Sequence, residues 1–283
     1  MAFLIDSDTK IVVQGLTGAT GRMAAAMMKA GGAEIVAGVT PGKGGTTAEG
    51  VPVFDTVAEA KAAGGTASIL FVPAGLLRDA ALEAIDAGMD PIVLMVDGVP
   101  LDLSLELVAA ARAHGVTLIG PNSPGVISPG KSLLGALRPE FYAQGDVALV
   151  SRSGGMMTTI AYQLTQSGRG QSTCVGVGGD AVIGLDVPTA ALLAEADPET
   201  KRLLVFGEVG TSQEERLARL VRDGEIKKPV YAYIAGAAAP AGKRYSHAGA
   251  SEDEEGGGVA GKRRLLRDAG ITVLDRYIDA REI

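Results

Sequence analysis

The chain has 283 residues, 47% of them hydrophobic and 21% charged, with a net charge of −7. That length suits two domains, each with its own core, and the composition is globular rather than disordered. The acidic balance argues against nonspecific nucleic-acid binding, and no apolar run reaches the roughly 18 residues that a membrane helix needs.

The single cysteine, Cys174, excludes an internal disulfide framework and suits a reducing, cytoplasmic setting. One cysteine and two histidines argue against a Cys/His metal site, and no metal is expected on this chain. The N-terminus, Met1 to Asp6, has neither the basic region nor the cleavage site of a signal peptide.

Lys10 to Gln14 reads as a buried strand that runs into Gly15-Leu16-Thr17-Gly18-Ala19-Thr20-Gly21 and then a helix over Arg22 to Ala30. Strand, glycine turn and helix form the context in which such a loop binds phosphate. The next strand, Glu34 to Val39, leads into Thr40-Pro41-Gly42-Lys43. A dinucleotide enzyme places an acid on the ribose there, and this chain has Lys43. The lysine suits a ligand with an extra phosphate, such as NADP or coenzyme A.

Alternation continues with a strand over Ser68 to Val72, a helix over Leu77 to Ala87 and a strand over Pro91 to Met95. A helix over Leu101 to His114 and a strand over Val116 to Ile119 complete this half. Such alternation implies a parallel sheet covered on both faces, with ligands beyond the carboxyl ends of its strands. The loops at Gly15, Thr40, Pro73 and Val96 would share that rim, and His114 before Gly115 reads as a helix cap. The Gly- and Pro-rich stretch to Gly145 reads as a linker.

The pattern restarts with a strand over Asp146 to Val150, the loop Ser151-Arg152-Ser153-Gly154-Gly155 and a helix over Met156 to Thr165. This is a second candidate oxyanion loop, where Arg152 would hold either the loop or the anion. Later strands are Ser172 to Gly176, Leu203 to Phe206, Pro229 to Ala235 and Ile271 to Leu274. Glu208 follows the second of these, and the third precedes Ser246-His247-Ala248-Gly249-Ala250. An imidazole among small residues can act as nucleophile, and a carboxylate bonded to one nitrogen makes the other more nucleophilic.

Six stretches in order resemble the alpha subunit of succinyl-CoA synthetase. They are Gln14 to Gly18, Gly38 to Gly45, Gly120 to Ile127, Ser151 to Gly154, Gly178 to Asp180, and Ser246 to Ala250. The resemblance implies an α/β fold with a CoA-binding Rossmann-like domain over 1–121, a linker over 122–145 and a flavodoxin-like ligase domain over 146–283. It implies phosphorylation of His247, with Glu208 as its partner and Ser153, Gly154 and Gly155 as the phosphate loop. Coenzyme A would meet Thr17, Gly18, Ala19, Thr20, Lys43, Pro73, Val96, Asp97 and Gly98. The acid would meet Asn122, Ser123, Gly125, Thr158 and Thr159.

A beta subunit with a nucleotide-grasp domain would supply ATP or GTP with Mg. Gly155-Met156 is closer to the homologous module of ATP-citrate lyase, and Ser251 to Gly258 carries four acids where the family is apolar. Succinate, malate and citrate therefore all stay open as the acid. Two further readings are an NADP-dependent oxidoreductase and a noncatalytic CoA-binding protein.

Overall fold

The computed structural model describes residues 3–236 and 258–283. The chain divides into two compact units. One is Leu4–Pro139 with Val182–Gly184, and the other is Phe3 with Glu140–Ala181 and Leu185–Ile283, as far as these are described.

The first unit holds strands β1 (Lys10–Gln14), β2 (Glu34–Val39), β3 (Thr47–Ala48), β4 (Val51–Phe54), β5 (Ala67–Leu70), β6 (Ile92–Leu94) and β7 (Leu118–Ile119). Their order is β3-β4-β2-β1-β5-β6-β7, parallel throughout except for the antiparallel edge pair β3–β4. Helices α1 (Ala19–Ala30), α2 (Val57–Ala62), α3 (Leu77–Asp86) and α4 (Leu101–His114) connect them. A strand covered on both faces reads as a continuous apolar run, and Ile11, Val12 and Val13 are fully buried. The chain leaves β1 toward β2 and later returns to its other side at β5. The order therefore reverses at β1, and its carboxyl end is a topological switch point.

α1 begins at Ala19, three residues before the sequence expectation, so Gly21 lies inside the helix. α4 closes as read, with Gly115 left-handed at φ 66° and His114 Nδ1 2.9 Å from the Ala110 carbonyl. The stretch read as a linker instead contains an antiparallel hairpin, β8 (Gly125–Ser128) with β9 (Ser132–Gly135). Every residue of both strands is buried. Gly125 and Gly135, which suggested irregular chain, are there because the strands come very close. A Cβ on Gly125 would lie 2.1 Å from the Leu134 carbonyl oxygen.

The second unit holds β10 (Gln144–Ser151), β11 (Gln171–Gly176), β12 (Arg202–Glu208), β13 (Val230–Ala235) and β14 (Thr272–Val273). Within this unit they run parallel in the order β14-β13-β12-β10-β11. Its helices are α5 (Gly154–Gln166), α6 (Val187–Ala196), α7 (Gln213–Arg222) and α8 (Gly258–Asp268). Here the order reverses at β10, so the Ser151–Gly155 loop stands at the second switch point.

Candidate functional site

At the first switch point, Gly15 turns the chain with φ +79° and donates its N–H to the Val39 carbonyl at 2.8 Å. A Cβ there would lie 2.3 Å from the Phe71 carbonyl oxygen, and one on Gly21 would lie 2.3 Å from that of Gly15. These two glycines thus serve backbone-to-backbone approach, which brings the start of α1 down onto the rim of the sheet. Gly18 is the N-cap of α1, without a side-chain cap and without an acid in the first turn. The exposed stretch Gly18-Ala19-Thr20 therefore presents the positive end of a helix to an anion.

The expected neighbours converge on this loop. Lys43 Nζ donates to Thr17 Oγ1 at 3.3 Å, and Thr17 Oγ1 lies 3.2 Å from Thr40 Oγ1. Pro73 lines a cleft of about 340 Å³ with Gln14, Gly15, Thr40, Phe71 and Leu76. Anion donors beside a partly apolar cleft match a phosphate-bearing ligand with a flat or apolar portion. The sequence placed the Thr40 loop on this rim without naming Thr40 as a ligand contact.

Asn122 joins Val96 and Asp97. Its main-chain N–H donates to the Val96 carbonyl at 2.9 Å and its Nδ2 to Asp97 Oδ1 at 2.9 Å. Asn122 is left-handed at φ 56°, a conformation its short amide tolerates. Ser123 is buried, and its Oγ accepts the Gly125 N–H at 3.0 Å. Ser123 and Gly125 thus shape the turn into β8.

At the second switch point, Ser151 Oγ donates to the Ser153 carbonyl at 2.7 Å and accepts the Ser153 N–H at 3.1 Å. Ser153 is the N-cap of α5 and accepts the Met156 N–H at 3.4 Å. Gly154 and Gly155 form the first turn, with no acid in it, and a side chain on Gly155 would enter open space. Such a loop offers backbone donors and a helix N-terminus to an oxyanion.

Arg152 resolves an alternative left open by the sequence, because it holds the protein itself. It is 1% exposed, with Nε 3.0 Å from Glu208 Oε1 and Nη2 3.2 Å from the Gly179 carbonyl. Both Nη1 and Nη2 lie 3.4 Å from the Asp180 carbonyl. Its main-chain N–H also donates to the Phe206 carbonyl at 3.2 Å. One buried guanidinium therefore ties together the loop at β10, the Gly178-Gly179-Asp180 turn and the Glu208 carboxylate at the end of β12. Glu208 is buried at 7% exposure rather than a surface helix cap.

Sequence reading did not single out Glu214 or Lys262. Glu214 Oε1 accepts the Glu208 N–H at 3.1 Å, and Lys262 Nζ lies 2.7 Å from Glu214 Oε2. Only their spacing was visible, three and four residues from Leu217 and Ala218 on α7 and from Val259 and Leu266 on α8, and it marks a buried face without naming its partner.

Thr158 Oγ1 donates to the Gly154 carbonyl at 3.3 Å and lies 3.0 Å from Tyr142 Oη. Burial pushes the Tyr142 phenol above its ordinary range, and the Cys174 thiol beside it adds to this. Thr159 Oγ1 donates to the Gly155 carbonyl at 3.0 Å. Both hydroxyls therefore bond back onto the first turn of their own helix.

His247 lies outside the described residues, as does Ser246. The chain leaves β13 at Gly236 and is described again from Gly258. A Cβ on Gly236 would sit 3.1 Å from Val209 Cγ1 and 3.4 Å from Val259 Cγ2. Gly236, where the segment carrying His247 begins, thus lies beside both Val209, the residue following Glu208, and Val259, near where the chain is described again.

Residues 6–98 match the CoA binding domain family, and residues 150–272 match the CoA-ligase family. The succinate–CoA ligase [ADP-forming] subunit alpha 2 of Archaeoglobus fulgidus is 47% identical over 274 residues, covering 96% of this chain and 95% of that one. The malate–CoA ligase subunit alpha of Methylorubrum extorquens is 42% identical over 278 residues, covering 96% and 94%. Among solved structures, ATP citrate lyase from Methanothrix soehngenii in complex with citrate and coenzyme A superposes with a TM-score of 0.90 at 24% identity. That likeness covers 99% of this chain, which spans 50% of the lyase chain.

Proposed function

Because the chain belongs to the succinate–CoA ligase alpha-subunit family, we propose that it joins a small carboxylic acid to coenzyme A through a phosphohistidine at His247. The chain is an acid–thiol ligase with a CoA-binding part followed by a CoA-ligase part. Membership displaces the oxidoreductase and scaffold readings. A beta subunit completes the enzyme, and its nucleotide-grasp domain brings ATP or GTP with Mg.

Coenzyme A belongs at the first switch point. Gly18, Ala19 and Thr20 offer main-chain donors, and Lys43 offers a cation held by Thr17. Pro73 walls the cleft, with Val96, Asp97 and Gly98 on the same rim. When bound, the cofactor supplies the thiol that displaces inorganic phosphate from the acyl phosphate and so ends as a thioester.

At the second switch point the imidazole of His247 takes a phosphoryl group from the nucleotide. A carboxylate oxygen of the acid then attacks that phosphorus, and the bond to the histidine breaks. The Glu208 carboxylate accepts a hydrogen bond from one imidazole N–H and so aims the other nitrogen at phosphorus. Ser153, Gly154 and Gly155 hold the phosphoryl oxygens at the start of α5 and offset their charge. Asn122, Ser123, Gly125, Thr158 and Thr159 are proposed to lie near the acid, with succinate first and malate or citrate as the alternatives.

The observation that carries this reading is the Arg152 clamp, which ties a buried carboxylate to an anion loop at a switch point. Its test is mass spectrometry at neutral or alkaline pH after incubation with the beta subunit, ATP and Mg. One phosphoryl group should appear, be lost in acid and be absent in His247→Ala. A label on Ser153 or Ser246, or turnover by His247→Ala, refutes the mechanism. A screen of succinate, malate, citrate and acetate then selects the acid, and equal turnover of acetate refutes the di- or tricarboxylate class.

A further inference from the structure

The end of β12 carries a second buried ion pair that the proposed chemistry does not use. Lys262 on α8 is 7% exposed, and Glu214 on α7 is 1% exposed. The ammonium lies 2.7 Å from Glu214 Oε2 and 3.5 Å from Glu215 Oε2. It also donates to the Glu208 carbonyl at 3.2 Å and to the Thr211 carbonyl. Glu214 Oε1 accepts the Glu208 N–H at 3.1 Å, and Glu214 Oε2 accepts the Thr211 hydroxyl at 2.9 Å. Both main-chain polar groups of Glu208 are therefore held by side chains, and those two side chains hold each other.

The strand is thinned to admit this arrangement. A Cβ on Gly207 would lie 2.4 Å from Glu214 Oε1, so the carboxylate occupies the space a side chain would take. Two charges buried this deeply are poor value as stabilisers, because apolar residues of the same volume do as well or better. Their distinguishing property is direction. An ion pair bonded to one N–H and one C=O of the same residue fixes that residue's position and rotation together.

We propose that Lys262 and Glu214 are positioning residues, which fix the main chain at Glu208 and through it aim the Glu208 carboxylate. This rests on the reading of Glu208 as the partner of the phosphorylated histidine. Arg152 fixes the other end of the same residue by its carboxylate. Lys262 has a second consequence from its place on α8, which the chain enters after the segment carrying His247. The same ammonium ties the far end of that segment to the strand end bearing the carboxylate.

The test uses the complex with the beta subunit and reads the single-turnover rate of acid-labile phosphorylation, the KM for CoA and the thermal midpoint. Lys262→Met should slow phosphorylation by about 10- to 100-fold, the usual range for a group that orients a reacting one, with the KM for CoA unchanged. Lys262→Arg should recover part of the rate. In a Glu208→Gln background, Lys262→Met should add no further slowing, since it acts through the carboxylate. A merely structural role would lower the midpoint and slow both backgrounds alike.

Should Lys262→Met fail to fold, Lys262→Met/Glu214→Gln removes both charges and should show the same slowing. A normal rate in either folded variant, or equal slowing with and without the Glu208 carboxylate, overturns the proposal. If the wild-type complex takes up no phosphate, the reading of His247 and Glu208 falls, and the proposal falls with it. Uptake by wild type alongside normal Lys262 variants removes the proposal alone.

Discussion

Replacing Arg152 by methionine should damage the second unit more than any other single change at the site. Methionine keeps most of the length and removes the charge. The Arg152 side chain is fully buried and that of Glu208 is 10% exposed, so little water can replace the lost partner. The Gly179 and Asp180 carbonyls lose a donor in the same step. Removing one member of a buried ion pair costs about 3–5 kcal/mol, mostly the penalty of stranding the other. At about 2–4 °C per kcal/mol for a unit near this size, the thermal midpoint should fall by roughly 6–20 °C. Calorimetry of wild type and Arg152→Met measures this directly. Arg152→Lys keeps a charge but cannot span the carboxylate and both carbonyls at once, so it should fall between them. A midpoint for Arg152→Met within about 2 °C of wild type would refute the reasoning.

Other changes test other parts. Gly15→Ala combines a left-handed φ of +79° with a carbonyl oxygen at 2.3 Å, and should cost at least about 3 kcal/mol in denaturant unfolding. Gly42→Ala has a similar φ, +78°, but open space around it, and should cost only about 1–2 kcal/mol. Equal costs would mean that the approach to Phe71 matters little. Lys43→Glu should weaken CoA binding at least about tenfold by calorimetric titration, since it would reverse a charge at the proposed phosphate position; unchanged affinity removes Lys43 from the site. Burial alone would raise the Asp186 carboxyl, but its bonds to Thr189 and Arg216 outweigh this and hold it below the usual range. Because the folded value is depressed, the stability lost in Asp186→Asn should be full above about pH 4 and vanish as pH falls through the folded value. A pH-independent difference in midpoint would count against the pairing.

The parallel strands were legible because burial on both faces leaves uninterrupted apolar runs such as Ile11-Val12-Val13 and Leu203-Leu204-Val205. Both glycine loops were legible from their strand and helix flanks. The edge pair β3–β4 was not, since two-residue and four-residue strands interrupted by Pro52 give no period to read. The hairpin at 125–135 was hidden because its glycines look like loop chemistry, when they serve close strand contact. The place of Glu208 at a strand end was legible, and its burial was not. Arg152 was noticed, but whether it faced anion or protein depended on the turn at Gly179, twenty-seven residues away. Lys262 and Glu214 belong to helices far apart in sequence, and pairing of that kind leaves no local signature.

The same hairpin decides where the chain could be divided. Leu133 of β9 fills the space left by the missing side chain of Gly31, where a Cβ would come within 2.7 Å of it. Ser128 Oγ donates to the Ile5 carbonyl at 3.0 Å, so the hairpin also fastens the start of the chain. A fragment ended at Pro121 would therefore bare the flank of α1 that Leu133 covers and release the residues before β1, even though its sheet would be intact. The main run of this unit ends at Pro139, eighteen residues beyond the point where the strand-and-helix rhythm stops, and a cut there still leaves out Val182–Gly184, whose Gly184 N–H donates to the Gly120 carbonyl at 2.9 Å.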